Sequence, residues 1–146
     1  MMLLSSKCQY GLRAALYLAI HKEDGLISIK EISSKLGISF HFLTKILQHL
    51  SSENLVESYK GPKGGVRLTV KGLNARLYDL VDIIDGLDTF QECVLGLPGC
   101  GSLQPCALHN EWVSKRDSIK EMLQSTTLER LASESGFELY RLTVED

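Results

Sequence analysis

The sequence lacks any apolar run approaching the ~18 residues that a membrane-spanning helix needs. Its opening residues, Met1-Met2-Leu3-Leu4-Ser5-Ser6-Lys7, lack the positive stretch followed by an apolar segment that marks a secretory signal. A cytoplasmic protein without a membrane partner is therefore expected. There is no internal repeat and no low-complexity tract. No Ser/His/Asp arrangement, phosphate-binding loop or dinucleotide fingerprint appears, so the protein is not expected to be an enzyme. With 44% apolar and 23% charged residues, the composition excludes a disordered tail protein and a collagen-like fibre. At 146 residues the chain is long enough for one domain, or one domain with an appendage, to bury a proper core.

Net charge of one sign is also missing, since the total is −2, but the charges are unevenly placed. Residues 1–72 hold ten Lys or Arg against five acids, a net +5, whereas residues 73–146 hold six against thirteen, a net −7. Such asymmetry points to a polyanion partner for the first half, with chance clustering of solvated charge as the plain alternative.

Residues 7–21 are apolar on nearly every face, as in a helix buried on several sides. Ser28-Ile29-Lys30-Glu31 fits a capping box that opens a second helix, with Ile29, Ile32 and Leu36 on one stripe. Gly37 marks a sharp turn, and Ser39 caps a third helix with an inward stripe of Leu43, Ile46, Leu47 and Leu50. Its other face shows His41, Thr44, Lys45, Gln48 and His49. Two helices joined by a short glycine-containing turn form a helix-turn-helix. Leu55 to Tyr59 reads as a strand, and Val66, Leu68 and Val70 alternate as a second one. Between them, Lys60-Gly61-Pro62-Lys63-Gly64-Gly65 is a turn with two cations at its tip. A helix-turn-helix followed by a basic hairpin is a winged helix. Ala75 to Asp85 reads as a further helix, Leu108 to about Gln124 as a long one, and Thr126-Thr127-Leu128-Glu129 as the cap of a short last one.

Residues 88–107 lose periodicity and hold three of the four cysteines, and a loop of that length is usually functional. Cys93, Cys100, Cys106 and His109 are spaced Cys-x6-Cys-x5-Cys-x2-His. Clustered cysteines in a reducing compartment bind metal or do redox work, and thiolates select zinc or iron–sulfur clusters. Zinc sites usually contain a tight cysteine pair, and its absence leans towards a cluster. Separate idle thiols remain the plain alternative. Cys8 reads as a small core residue or as a ligand delivered from elsewhere, including a partner subunit. His21, His41 and His49 show no ligand spacing, and His41 and His49 read as surface residues.

In this order, the winged helix, helix, three-cysteine loop and long helix resemble the IscR/NsrR-type regulators of the Rrf-two superfamily. The local matches are Leu4 to Tyr10, Leu36-Gly37-Ile38-Ser39, Lys60 to Gly65 and Cys106-Ala107-Leu108-His109-Asn110-Glu111-Trp112, and the likeness covers residues 3–132. The resemblance implies a mainly α fold with a small β-hairpin wing: a winged helix-turn-helix over 1–72, then over 73–146 a cluster-binding loop (about 88–107) and dimerisation helices. It implies a homodimeric transcription regulator that binds a pseudo-palindromic double-stranded operator, activating or repressing. The iron–sulfur cluster would be [2Fe–2S] rather than [4Fe–4S], and its state would report redox poise, nitric oxide or cluster supply. Cys93, Cys100 and Cys106 match the cluster thiolates, and His109 matches the fourth ligand of the IscR branch. The first gap is one residue longer than in that branch. In the NsrR branch a carboxylate from the partner subunit serves instead; Gln9 aligns with it, and Cys8 lies one residue off.

For DNA, the expected contacts are Ser39, His41, Phe42, Thr44 and Lys45 at the second helix of the motif, in the major groove. Ser28 and Lys30 would meet phosphate at the first helix's N-terminus. Lys60, Lys63 and Arg67 would set the wing on the backbone or in a minor groove. Phe42 either packs on the wing or touches a thymine methyl. Alternatives are a structural zinc or a thiol switch in place of the cluster, or a winged helix serving as a protein-interaction module in cluster assembly.

Overall fold

The computed structural model describes residues 3–101, 103–134 and 141–142. Helix α1, Ser6–Ile20, opens at Ser5, whose hydroxyl accepts the Cys8 amide. It buries residues on more than one face, among them Cys8, Ala14, Ala15 and Leu18, because α2 and α3 pack on it along with two later helices. Helix α2, Ile29–Leu36, is capped by the Ser28 hydroxyl, which accepts the Glu31 amide. It stops at Gly37, left-handed with φ 66° and ψ 36°, where a Cβ would add strain. Helix α3, Phe40–Ser52, follows at once and buries Leu43, Ile46, Leu47 and Leu50, the four residues of the expected stripe.

Strands β1, Val56–Tyr59, and β2, Gly65–Leu68, pair antiparallel, with Glu57 opposite Arg67. Ile27 adds an isolated bridge to Val66 through hydrogen bonds of 2.9 and 2.8 Å, tying the wing to the segment before α2. The second strand ends two residues earlier than the alternation through Val70 predicts. The Thr69 amide donates to the Leu55 carbonyl and its hydroxyl accepts the Gly72 amide. That cap opens a short helix α4, Val70–Leu73, and leaves Val70 75% exposed.

Helix α5, Leu77–Asp85, starts two residues later than its apolar pattern predicts. Residues 75–77 instead pair with 126–128 through Leu77 N–Thr126 O (2.9 Å) and Leu128 N–Ala75 O (3.0 Å), and Arg76 caps the helix against the Asp79 carboxylate. Helix α6, His109–Gln124, leads to α7, Leu128–Glu134. The cap of α7 is Thr127, whose hydroxyl accepts the Arg130 amide, and not Thr126, which is buried and donates to the Met122 carbonyl.

The main core joins α1, α2, α3 and the wing to Leu80 of α5 and Leu128 of α7, so one apolar cluster draws on both sides of residue 72. A smaller cluster of Cys8, Val81, Phe90 and Leu123 connects α1 and α5 to the start of the cysteine loop and to α6. No described helix is long and apolar enough to cross a membrane.

Candidate functional site

Two surfaces carry the residues that the sequence singles out. The first is the outer face of α2, α3 and the wing. Ser28, Lys30, Ser39, His41 and Lys45 are exposed there, and Lys60 and Lys63 are exposed at the hairpin tip. Among the described residues, Lys30, Lys45, Lys60 and Lys63 form no ion pair. Their charge is therefore not cancelled by neighbouring carboxylates. Ser39 holds the Phe42 amide at 3.5 Å, a long cap that leaves its hydroxyl largely unengaged. The Thr44 hydroxyl donates to the Phe40 carbonyl at 2.7 Å, and its side chain lines a pocket of about 160 Å³ between α2, α3 and the wing.

Two residues on this face differ from expectation. Phe42 is half-buried against the core, and its ring meets Tyr10 of α1 edge-on, centroids 5.7 Å apart and planes at 88°. Arg67 is not a free cation. Its Nε donates to the Glu57 carboxylate across the hairpin, its guanidinium lies 5.6 Å from the Tyr59 ring, and both contacts hold it flat on the strands. The pairing with Glu57 keeps the guanidinium charged.

Sequence reasoning passed over Phe40, which is 54% exposed as the first residue of α3. Helical spacing aligns Phe40 with Leu43, Leu47 and Leu50, so it reads as core. At the helix's first residue, however, that stripe has run past the packed interior.

The second surface is the cysteine loop. Cys93, Cys100, Cys106 and His109 line one cavity of about 230 Å³, together with Leu97, Pro98, Gly99, Gly101 and Gln104. Cys100 Sγ lies 3.6 Å from His109 Nδ1, and the Cys106 thiol feels both Cys93 and Cys100 electrostatically. The amides of Leu97 and Leu95 donate to the Cys93 sulfur and hold its thiol below the ordinary value. Desolvation, then contact with Cys93, pushes Cys106 the other way. The loop is fastened to α6, because Trp112 Nε1 donates to the Glu92 carbonyl at 2.9 Å. Arg116, one turn further on, donates from Nη1 to the Cys100 sulfur at 3.4 Å, and its Nε is buried with no hydrogen-bond partner among the described residues. Arg116 was also missed. In a Ser-Lys-Arg-Asp run it reads as a solvated face, although it follows His109 and Trp112 at i+7 and i+4.

Three soft thiol donors and an imidazole on one cavity, with an orphaned guanidinium N–H nearby, suit an anionic sulfur-ligated group. Among the described residues, no three His, Cys, Asp or Glu side chains converge as they would around a single metal ion. Cys8 is far from suited to a ligand role. It is fully enclosed, and its thiol is pushed up to about 12, chiefly by burial and secondarily by Asp85. A thiol sealed in its own protomer's core is not presented to another subunit.

Comparison with known proteins bears directly on these two surfaces. Residues 4–134 match the Rrf2 family, described as an iron-dependent transcriptional regulator. The chain is 30% identical over 132 residues to the HTH-type transcriptional regulator IscR of Pectobacterium carotovorum, covering 90% of this chain and 80% of that protein. Its fold is similar to that of CymR, the global cysteine regulator of B. subtilis, with a TM-score of 0.75 and 29% identity over 93% of this chain and all of that one. It is also similar to T. potens IscR, with a TM-score of 0.69 and 25% identity over 94% and 92% of the two chains. The relatives are regulators and not enzymes. With a winged helix, a cysteine loop and a family match over nearly its whole length, the chain belongs to the Rrf2 family of DNA-binding transcriptional regulators.

Proposed function

We propose that the protein is a homodimeric regulator whose operator affinity depends on an iron–sulfur cluster held by Cys93, Cys100, Cys106 and His109, [2Fe–2S] ahead of [4Fe–4S]. The observation that carries this reading is the convergence of the four donors on one cavity, where Cys100 contacts His109. A dinuclear cluster spreads four protein ligands over two irons, whereas structural zinc draws four around one point, where no three described His, Cys, Asp or Glu side chains converge. When bound, such a cluster supplies a one-electron redox change inside the loop. The chain's own residues do the rest. Backbone amides hold the Cys93 sulfur, and Trp112 pins the loop to α6. The apolar contacts of Phe90 and Leu123 with Cys8 and Val81 link the loop to α1 and α5. Ordering or releasing the loop then shifts α6, the expected dimer helix, against the winged helices. Only a cluster that favours one arrangement over the other has this effect.

On DNA, α3 enters the major groove, where Ser39, His41, Thr44 and Lys45 reach base edges, while Ser28, Lys30, Lys60 and Lys63 meet phosphates. Phe40, exposed at the leading end of α3, supplies an apolar contact of the kind made with a thymine methyl. Uracil lacks only that methyl. Replacing each thymine of a duplex recovered by in vitro selection should therefore weaken the wild type about fivefold at one position, an effect of about 1 kcal/mol, and leave Phe40→Ala insensitive there.

The decisive experiment is an absorbance spectrum with iron, sulfide and zinc analysis of protein purified without oxygen, followed by operator affinity of cluster-loaded, oxidised and metal-free protein at fixed salt. Brown protein with matching iron and sulfide and unequal affinities is expected. Equal affinities in all three states would remove the sensor role and leave DNA binding intact. A second reading, a thiol switch without a cluster, is favoured by the three thiols sharing one cavity and by the likeness to CymR, named as a cysteine regulator. Colourless protein whose DNA affinity changes on thiol oxidation would select it.

A further inference from the structure

We infer that Arg116 is a positioning residue of the cysteine site: its buried guanidinium supplies the positive charge that stabilises negative charge on the Cys100 sulfur. The side chain is only 12% exposed, yet it lies in no closed network of acceptors. Nη1 points at Cys100 Sγ, 3.4 Å away, and among the described residues Nε has no hydrogen-bond partner. Asp117 Oδ1 lies 3.7 Å from that Nε, within ion-pair range but beyond a hydrogen bond, on a side chain 61% exposed to solvent. A guanidinium taken out of water and met by one solvated carboxylate and a neutral thiol is poorly compensated. It is well compensated when the sulfur beside it carries negative charge.

Cys93 and Cys100 differ in how that charge would be held. Cys93 has the amides of Leu97 and Leu95, supplied by the loop itself. Among the described residues, the hydrogen-bond partners of Cys100 are side chains of α6, His109 at 3.6 Å and Arg116 at 3.4 Å, which share one helix face with Trp112. Arg116 is thus a fixed cation at the site, delivered by the helix that the loop leans on.

This inference rests on the cluster reading for one of its consequences. Reduction adds one electron, hence one negative charge, to a cluster ligated by thiolates, and a neighbouring fixed cation favours that state. Arg116→Gln should therefore lower the reduction potential, read by anaerobic potentiometric titration of the visible spectrum. Arg116→Lys, which keeps the charge without the planar fork, should restore part of the shift. A merely structural role would cost cluster retention and leave the potential where it was.

A second measurement needs no cluster. In metal-free protein, Cys100 is labelled with a dianionic aromatic disulfide and, separately, with a neutral one, and the adducts are resolved by mass spectrometry. The ratio of the two rates reports the local charge, because the protonation of Cys100 cancels between them. We expect the ratio to fall several-fold in Arg116→Gln and to lie between in Arg116→Lys. Wild-type protein that holds no iron and sulfide would overturn the cluster reading, and the rate ratio alone would then judge Arg116. The ratio judges it equally if Arg116→Gln cannot retain a cluster. Equal ratios in Arg116→Gln and wild type would overturn the inference.

Discussion

The wing and the cysteine loop are both glycine-rich, but their glycines answer to different causes. A Cβ on Gly65, at the base of the wing, would sit 2.4 Å from the Ile27 carbonyl oxygen, where the bridge to Val66 brings two backbones together. A Cβ on Gly99 or Gly101 of the cysteine loop would meet nothing within 4 Å. The wing is held by close packing, with Val66 and Leu68 buried, whereas Leu95, Leu97 and Leu103 of the loop are exposed at 52%, 54% and 96%. One region is a rigid piece of the core that presents charge. The other is a wrapped chain whose order depends on the few side chains and amides at its cavity. That difference suits a scaffold joined to a sensor.

The sharpest way to break this comparison is to add one methyl group to each region. Gly65→Ala should cost about 1–3 kcal/mol, because the obstacle is backbone and cannot step aside. Gly101→Ala, in open space, should fall within about 0.5 kcal/mol of wild type in thermal or denaturant unfolding. Comparable losses at the two sites would mean that the loop is packed as tightly as the wing.

The next test separates two cations of the wing. Arg67 is exposed and already paired with Glu57, while Lys63 at the tip is unpaired among the described residues. Lys63→Ala should lower the slope of log affinity against log salt by about one for any duplex. Arg67→Gln should lower it by less than one, and should approach the full unit only in a Glu57→Gln background. Matching slopes for Lys63→Ala and Arg67→Gln in the native background would show that the Glu57 pair opens on DNA.

The last test concerns Cys8, which ties the two regions together through Val81, Phe90 and Leu123 and whose effect is absent at neutral pH. Its thiol is raised from 9.0 to about 12 in the folded protein, chiefly by burial. The unfolded chain therefore releases this proton at lower pH than the folded one. The resulting stability is full below pH 9.0 and drains away as the pH climbs towards about 12. Melting temperatures followed across that window should fall more steeply for wild type than for Cys8→Ala, whose small apolar side chain cannot ionise. Parallel curves would place the thiol in contact with solvent.

Much of the scaffold was legible from order and spacing. The capping serines, the turn at Gly37 and the stripe of Leu43, Ile46, Leu47 and Leu50 are local patterns, and local patterns survive into the fold. The errors fell where a distant segment intervened. Residues 75–77 read as helix but pair with 126–128, and the strand through Val70 was cut short when Thr69 turned to bond Leu55 and Gly72. In the candidate site, the cysteine spacing announced the four candidate donors, but not the contact of Cys100 with His109 and Arg116.

By itself, the sequence determined the charge asymmetry, the winged-helix order and the identity of the thiol and imidazole donors, because each is written in composition or in contacts a few residues apart. Tertiary structure alone decided that Phe42 turns in against Tyr10 while Phe40 is left outside. It also sealed Cys8 in the core and set Arg116 against Cys100, sixteen residues away. Those outcomes depend on which surfaces the packed helices cover. Periodicity fixes the face of a helix, but only the neighbouring elements determine where that face stops being interior.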